Sequence, residues 1–271
     1  MAAATALEVT LVQPRSWSPD GEANFADVAR LLRSLPPNER VPAVVVLPEL
    51  IGSSMPRDDY AVAVGEVARR LGRWVVGGSH HWVTPTTTRN AGVVADPAGQ
   101  VVATYEKQNP YGSERADGVS EGDGPAVFDA GGVSVAAVIC ADFWHSECIH
   151  ALDPHPDVIA VSSFSISRGR APGAAKELWR HLAVTRAWEH GVHVGISDWS
   201  AASVYGDLHA TGLAASVSPA PARPDGFVTT LGNRRLRTVC VDIERLRTFR
   251  ADQHGNGMFP TRAERLRAQQ R

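Results

Sequence analysis

Ala43-Val-Val-Val-Leu47 is an unbroken apolar run of strand length, set between Pro42 and Pro48. No polar residue interrupts it, so a strand built from it must be covered on both faces, as in a largely parallel sheet flanked by helices. Its neighbours agree. Leu7-Glu-Val-Thr-Leu-Val12 alternates as a strand does, and Phe25, Val28, Ala29, Leu32 and Leu35 recur at helical spacing until Pro36-Pro37 stops them. Tyr60, Val64, Val67, Ala68 and Leu71 form a second stripe with Gly72 as its C′ residue, and Trp74-Val-Val-Gly77 gives another short strand. This alternation predicts an α/β domain with a largely parallel core.

From Asn90 the texture changes. Ala91–Ala95 and Val101–Tyr105, joined at Asp96-Pro-Ala-Gly99, read as a hairpin with no helix between its strands. Residues 108–125 are polar, rich in Gly and aperiodic, and a loop of that length inside a domain usually carries function. A second hairpin turns at Gly131-Gly132 into Val133–Cys140. Asp157–Val161 and Val192–Ile196 read as buried strands, with a helix through Ala175, Leu178, Trp179, Leu182 and Ala183 between them. Strands around 210–217, 226–231 and 237–243 and a helix from Glu244 complete the pattern. Without a low-complexity linker or an internal repeat, residues 1–271 are expected to form one domain, with 1–6 a flexible N-terminus and 250–271 a C-terminal tail.

The formal net charge of -2 provides no basic footprint for nucleic acid. Arg262, Arg265, Arg267 and Arg271 are interrupted by Glu264 and read as a solvated helix. Three cysteines without a Cys-x-x-Cys pair make no disulfide framework and fit a reducing compartment. The first residues lack a basic leader, and no apolar stretch is long enough for a membrane span, so a cytoplasmic location is expected.

Chemistry collects where predicted strands end. Glu49 follows the 43–47 run, Lys107 follows the hairpin, and Cys140 closes Val133-Ser-Val-Ala-Ala-Val-Ile. Singly, each has an ordinary reading: a cap, a surface charge, a small residue in the core. Together they are complementary, because a thiol needs a base to become a nucleophile and an ammonium stabilises the oxyanion that follows. They can meet only if their strands are neighbours with the same ends pointing one way, as at the edge of a parallel sheet.

These segments resemble the nitrilase superfamily of carbon–nitrogen hydrolases. Leu47-Pro-Glu49-Leu50 is similar to its first motif, Tyr105-Glu-Lys107 to its second, and Val138-Ile-Cys140-Ala-Asp142 to its third. Asn90–Gly99, Ser120–Gly124 and the helix at Ala183–His190 also resemble family segments, so the likeness spans about residues 7–245. The resemblance implies a four-layer α-β-β-α sandwich, usually dimerised through helices, hence a homodimer or higher homo-oligomer. It implies Glu49 as general base, Cys140 as nucleophile, and Lys107 with the backbone N–H of Ala141 around the oxyanion. Glu114, seven residues after the lysine, would be an accessory carboxylate. A thioester would be hydrolysed by water, with no metal and no organic cofactor. Nitrilases in the strict sense carry Trp-Glu after the cysteine, so Ala141-Asp142 points to an amide; Cys-Ala-Asp-Phe-Trp is closer to glutamine-hydrolysing domains, yet no synthetase domain accompanies it. The expected activity is that of a small-molecule amidase. Nitrile hydrolysis, N-carbamoyl hydrolysis and acyl transfer are the alternatives within the superfamily, and a catalytically silent binding or assembly protein the alternative outside catalysis.

Further positions stay two-sided on sequence alone. Phe143 and Trp144 either wall the pocket or pack beneath it; Ser163, Phe164, Asp198 and Trp199 follow later strands and are candidate lining residues. His80-His81 either line the pocket or cap a strand, the cap being favoured, and Cys240 reads as core. His145, Cys148, His150 and His155 have poor spacing for a structural zinc site and read as a helix facing solvent or substrate.

Overall fold

A computed structural model describes residues 4–36, 41–167 and 172–258. The chain begins with β1 (Ala6–Val12), α1 (Gly21–Leu32), β2 (Ala43–Val46), α2 (Arg57–Leu71), β3 (Trp74–Val76) and β4 (His80–Val83). Next come β5 (Thr88–Ala95), β6 (Val101–Glu106), α3 (Ser113–Ala116), β7 (Ala126–Asp129), β8 (Ser134–Ile139) and α4 (Ser146–His150). The remainder is β9 (Val158–Ser162), β10 (Ile166–Ser167), α5 (Pro172–His190), β11 (His193–Ser197), β12 (Val204–Tyr205), β13 (Leu208–Ala210), β14 (Ala215–Val217), β15 (Val228–Thr230), β16 (Leu236–Asp242) and α6 (Ile243–Gly255).

Two large sheets face each other. The first runs β16-β1-β2-β3-β5-β4, with β6 added to β5; the second runs β15-β14-β11-β9-β8-β7. Each has a parallel centre, β1-β2-β3 and β8-β9-β11, and antiparallel margins. The valine run shows why. Val44 and Val46 point into the core between the sheets, whereas Val45 and Leu47 point the other way, into a cluster with Phe25, Val28 and Leu32 of α1 and Tyr60, Val64 and Ala68 of α2. Beyond the second sheet, Trp179, Ala183 and Ala187 of α5 are buried in the cluster that continues through that sheet. The layers are therefore helix, sheet, sheet, helix. Where the sheets press closest, Gly195 of β11 faces Leu11 and Val9 of β1, and a Cβ there would lie 3.0 and 3.1 Å from their methyl carbons.

Local signals hold at several boundaries. Asp20 caps α1 by accepting from the N–H groups of Glu22 and Ala23. Gly72 ends α2 in the left-handed region at φ 60°, where its N–H bonds the carbonyl of Ala68.

Other expectations are corrected. The helical stripe extended to Leu35 stops at Leu32, and β4 forms where a strand cap was expected at His80-His81. The single strand expected across 210–217 is two, β13 and β14, in different sheets, because Gly212 turns the chain at φ 68°. Cys240 is exposed: along β16, Val241 turns inward and Thr238, Cys240 and Asp242 outward, so the period of two puts the thiol on the open face. The carbonyl of Thr5 accepts from the N–H groups of Ile243 and Glu244, and α6 extends to Gly255. Residues 1–3, Pro37 and the basic cluster from Arg262 lie outside the described residues. No helix among the described residues is long and apolar enough to cross a membrane.

Candidate active site

Glu49, Lys107 and Cys140 come together, though not along one sheet edge. Glu49 follows β2, in the parallel centre of the first sheet; Lys107 follows β6, an antiparallel strand at its margin; Cys140 follows β8 in the second sheet. They meet because the sheets stack face to face, a tertiary relation that strand patterns do not carry.

Lys107 Nζ donates to Glu49 Oε1 at 2.7 Å and to Glu114 Oε2 at 2.5 Å, all three residues being buried. Asn90 Nδ2, from β5, donates to Glu49 Oε1 at 3.0 Å and to Glu114 Oε1 at 2.6 Å. The other oxygen of Glu49 accepts from the backbone N–H of Phe164 at 2.9 Å, and its carbonyl from Trp199 Nε1 at 2.7 Å. Glu114 sits on α3 and also accepts from the N–H of Tyr111 at 3.0 Å, with His81 Nε2 3.6 Å away. The aperiodic loop thus delivers a buried carboxylate.

Cys140 opens a 3₁₀ turn, Cys140–Trp144, with φ at 37°. A non-glycine residue in that region is strained, and the strain sits where β8 breaks into the turn. The thiol and the Glu49 carboxylate act on each other electrostatically. Ser163 Oγ lies 3.6 Å from Cys140 Sγ, which lies 3.9 Å from the carbonyl of Phe164. Asp142, two residues on, accepts from the N–H of Gln108 at 2.8 Å and of Asn109 at 2.7 Å, tying the cysteine turn to the segment behind Lys107. From the far side, Arg186 of α5 donates to the carbonyls of Phe143 and Trp144 at 3.3 and 2.7 Å.

Burial dominates the electrostatics. It pushes the Glu49 carboxyl above its ordinary value against the pull of Lys107, and lifts the Cys140 thiol well above the ordinary thiol range, aided by the Glu49 charge. Burial alone would depress Lys107, but Glu49, Cys140 and Glu114 outweigh it and hold the ammonium charged. Burial works against Glu114 too, yet the neighbouring His81 and Lys107 hold it down to about 2.

The group opens on a cavity of about 460 Å³ lined by Ala141, Trp144, Phe164 and Tyr205 among others. The remaining candidates divide. Phe143 is fully buried, stacked on Trp179 at 6.1 Å, while Trp144 stands edge-on to Trp179 at 5.4 Å and faces the cavity. Phe164 lines it, whereas Ser163 lies behind the thiol. Asp198 and Trp199 are buried supports: Asp198 accepts from the N–H of Ser165 at 3.0 Å and of Leu213 at 2.8 Å, fixing the segment that carries the Phe164 N–H.

Asn90 was missed in the sequence as a site residue. Its signal was an amide at the point where the polar head of β5, Thr88-Arg89-Asn90, runs into the apolar Ala91–Ala95, a place for an amide only if a partner awaits it. The His145, Cys148, His150 and His155 set does not assemble: Cys148 is buried, its Sγ 3.3 Å from both Asn109 Nδ2 and Gln108 Oε1. Among the described residues, His150, Glu189 and His190 bring ligand atoms within 4.8 Å of one another. The Ser146 hydroxyl is hydrogen-bonded to all three, and Arg186 takes the second Glu189 oxygen at 2.7 Å.

The sequence model of the carbon-nitrogen hydrolases matches residues 8–220. No curated protein matches the sequence. Among solved structures, Saccharomyces cerevisiae Nit3, a member of branch 10 of the nitrilase superfamily, superposes with TM-score 0.73 at 20% identity, over 92% of this chain and 94% of its own. A Xanthomonas campestris CN-hydrolase superfamily protein, with an arsenic adduct in its active site, gives 0.73 at 19%, covering 91% and 94%. An amidase from Nesterenkonia sp. gives 0.67 at 21%, covering 95% and 98%. At these identities the likeness is one of fold.

Proposed function

The chain belongs to the carbon-nitrogen hydrolase family of the nitrilase superfamily, and from that premise we propose that it is an amidohydrolase that cleaves small non-peptide amides through a thioester on Cys140. The observation that carries the reading is that the Cys140 thiol lines one cavity with a buried Glu49 carboxylate fixed by Lys107, Asn90 and the Phe164 N–H.

Burial keeps Cys140 as a thiol, so attack needs a base, and Glu49 takes the proton as Sγ bonds to the substrate carbonyl carbon. The oxygen gains negative charge and is met by Lys107 Nζ and the Ala141 N–H; one such donor is worth about 3 kcal/mol in the transition state. Glu49 returns the proton to the leaving nitrogen as the C–N bond breaks, giving a thioester and an amine. Water, deprotonated by Glu49, then attacks the thioester and releases the acid and the thiol. Raised affinity for a proton suits Glu49 to both directions of transfer. Glu114 fixes the Lys107 ammonium through a second hydrogen bond. The apolar side chains of Trp144, Phe164 and Ile166 in the cavity lining favour hydrolysis of a carbon-bound amide over capture of a polar ureido group.

The test is intact mass under rapid quench. Wild-type protein mixed with a primary amide should gain the acyl mass on Cys140, release ammonia and return to its free mass; Cys140→Ala should do neither while keeping its circular dichroism. Turnover by Cys140→Ala at the wild-type rate would end the proposal. A homodimer is proposed as well, supported by the exposed Leu178 and Trp188 on the outer helix α5; light scattering at working concentration decides it.

A further inference from the structure

Cys140 and Ser163 leave neighbouring strands side by side. β8 and β9 run parallel with Ile139 opposite Ser162, so the next residue of each stands beside the other. There Ser163 Oγ donates to Cys140 Sγ at 3.6 Å, a length suited to sulfur, which is a larger and weaker acceptor than oxygen. The serine is buried and its backbone is held twice: its N–H donates to the Ser197 carbonyl at 2.9 Å, and its carbonyl accepts from the Glu49 N–H at 3.4 Å. Sγ in turn donates to the Phe164 carbonyl at 3.9 Å. The resting thiol thus gives its proton in one direction and receives a hydroxyl from another.

Sulfur does not stay neutral through the reaction. In the attack its proton passes to Glu49 as the Sγ–C bond forms. In hydrolysis of the thioester, water gives a proton to Glu49 and its oxygen bonds to the carbonyl carbon. The C–Sγ bond then breaks with its electron pair on sulfur, and the proton on Glu49 returns there. Negative charge gathers on sulfur at both points, in a buried place where losing water makes that charge costly. A hydrogen bond to an ionised acceptor is about twice as strong as one to a neutral acceptor. Ser163 therefore contributes most where the charge peaks, and it keeps its own proton throughout.

We infer that Ser163 is a further catalytic residue, whose hydroxyl stabilises the Cys140 sulfur as it becomes a thiolate, first as nucleophile and later as leaving group. This rests on the amidohydrolase reading of the same site and adds a donor at the sulfur to those at the carbonyl oxygen.

Alkylation by iodoacetamide at pH 7, read by mass mapping of the Cys140 peptide, tests it in the full-length protein without an amide. Loss of one hydrogen bond to a charged group lowers the thiolate population about tenfold, and greater nucleophilicity offsets about threefold of that. Ser163→Ala should therefore slow alkylation of Cys140 by about threefold or more. Ser163→Thr keeps the hydroxyl and should stay within about twofold of the wild type. In the Glu49→Gln background, Ser163→Ala should slow alkylation by the same factor, because the hydroxyl acts on sulfur and not through the base. An unchanged rate in Ser163→Ala overturns the inference. So does a Ser163→Thr protein as slow as Ser163→Ala, or loss of the Ser163→Ala effect in the Glu49→Gln background, which would make the serine a support of the base. The acyl-adduct experiment stands apart: a protein that acylates Cys140 and is indifferent to Ser163→Ala keeps the hydrolase and loses this residue's role. One that responds to Ser163→Ala but never acylates keeps the donor at the sulfur and loses the hydrolase.

Discussion

The Asn90 amide reaches both Glu49 and Glu114, so one side chain sets the separation of the two carboxylates that share Lys107. Asn90→Ala is expected to lower kcat about tenfold to a hundredfold with little change in KM, because the base loses its position while the cavity wall is untouched; steady-state kinetics on a primary amide checks the split. Glu49 has a sign that can be worked out. Burial raises it above 4.5, and only its ionised form can accept the thiol proton. Activity should therefore rise with pH through an acid limb lying above pH 4.5. Since Cys140 stays protonated at neutral pH, its alkylation by iodoacetamide also depends on that base. In Glu49→Gln, alkylation at pH 7 should slow by about 100-fold, and an unchanged rate would remove Glu49 from the thiol's activation.

At the scale of elements, β5 and β6 bring Asn90 and Lys107 to the same end of one hairpin, where the Lys107 N–H donates to the Asn90 carbonyl at 2.8 Å. Gly92 is where they press on the core: a Cβ there would lie 2.3 Å from the Tyr105 ring and 2.5 Å from the Gly78 carbonyl, which the Tyr105 hydroxyl bonds at 2.6 Å. Gly92→Ala should cost about 1–3 kcal/mol in a denaturant titration and reduce activity further than stability explains, because the hairpin cannot shift without moving Lys107. Elements also show what a sequence can disclose. The 43–47 run, the stripes of α1 and α2 and the two hairpins were legible because each is a local pattern of burial. Strand ends bearing Glu49, Lys107 and Cys140 were legible for the same reason. That these ends belong to two stacked sheets was not, since no period within a strand encodes which sheet faces it. Cys240 was misread because a short apolar run at a sheet margin resembles a central one. The 210–217 stretch failed on Gly212, a turn hidden inside a run that is otherwise strand-like.

For the molecule as a whole, the buried charges of the site enter the pH dependence of folding with opposite signs. Glu114 is held at about 2 in the fold against 4.5 ordinarily, so its contribution is complete above pH 4.5 and is lost as pH falls toward 2. Its size is about 3 kcal/mol as an order of magnitude. Glu49, raised by burial, favours the protonated fold and opposes that slope. Glu114→Gln should consequently melt at a temperature that declines less steeply between pH 5 and pH 3 than the wild type; parallel declines would show that Glu114 gives no net stability. Asp157 makes a second link across the molecule, holding Arg247 of α6 at 2.6 Å and the N–H of Ser134 at the head of β8 at 3.2 Å.

The proposed base and nucleophile hang from different sheets, and Gly195 lies where those sheets come nearest, under Leu11 and Val9. Whatever fills that seam acts as a shim between two halves of a tool. A methyl group added or removed there, far from any substrate, alters the gap across which a proton must pass, and close packing transmits the change instead of absorbing it. Drift in the volume of the interior is thus a dial on rate, one that leaves the mouth of the cavity as it was.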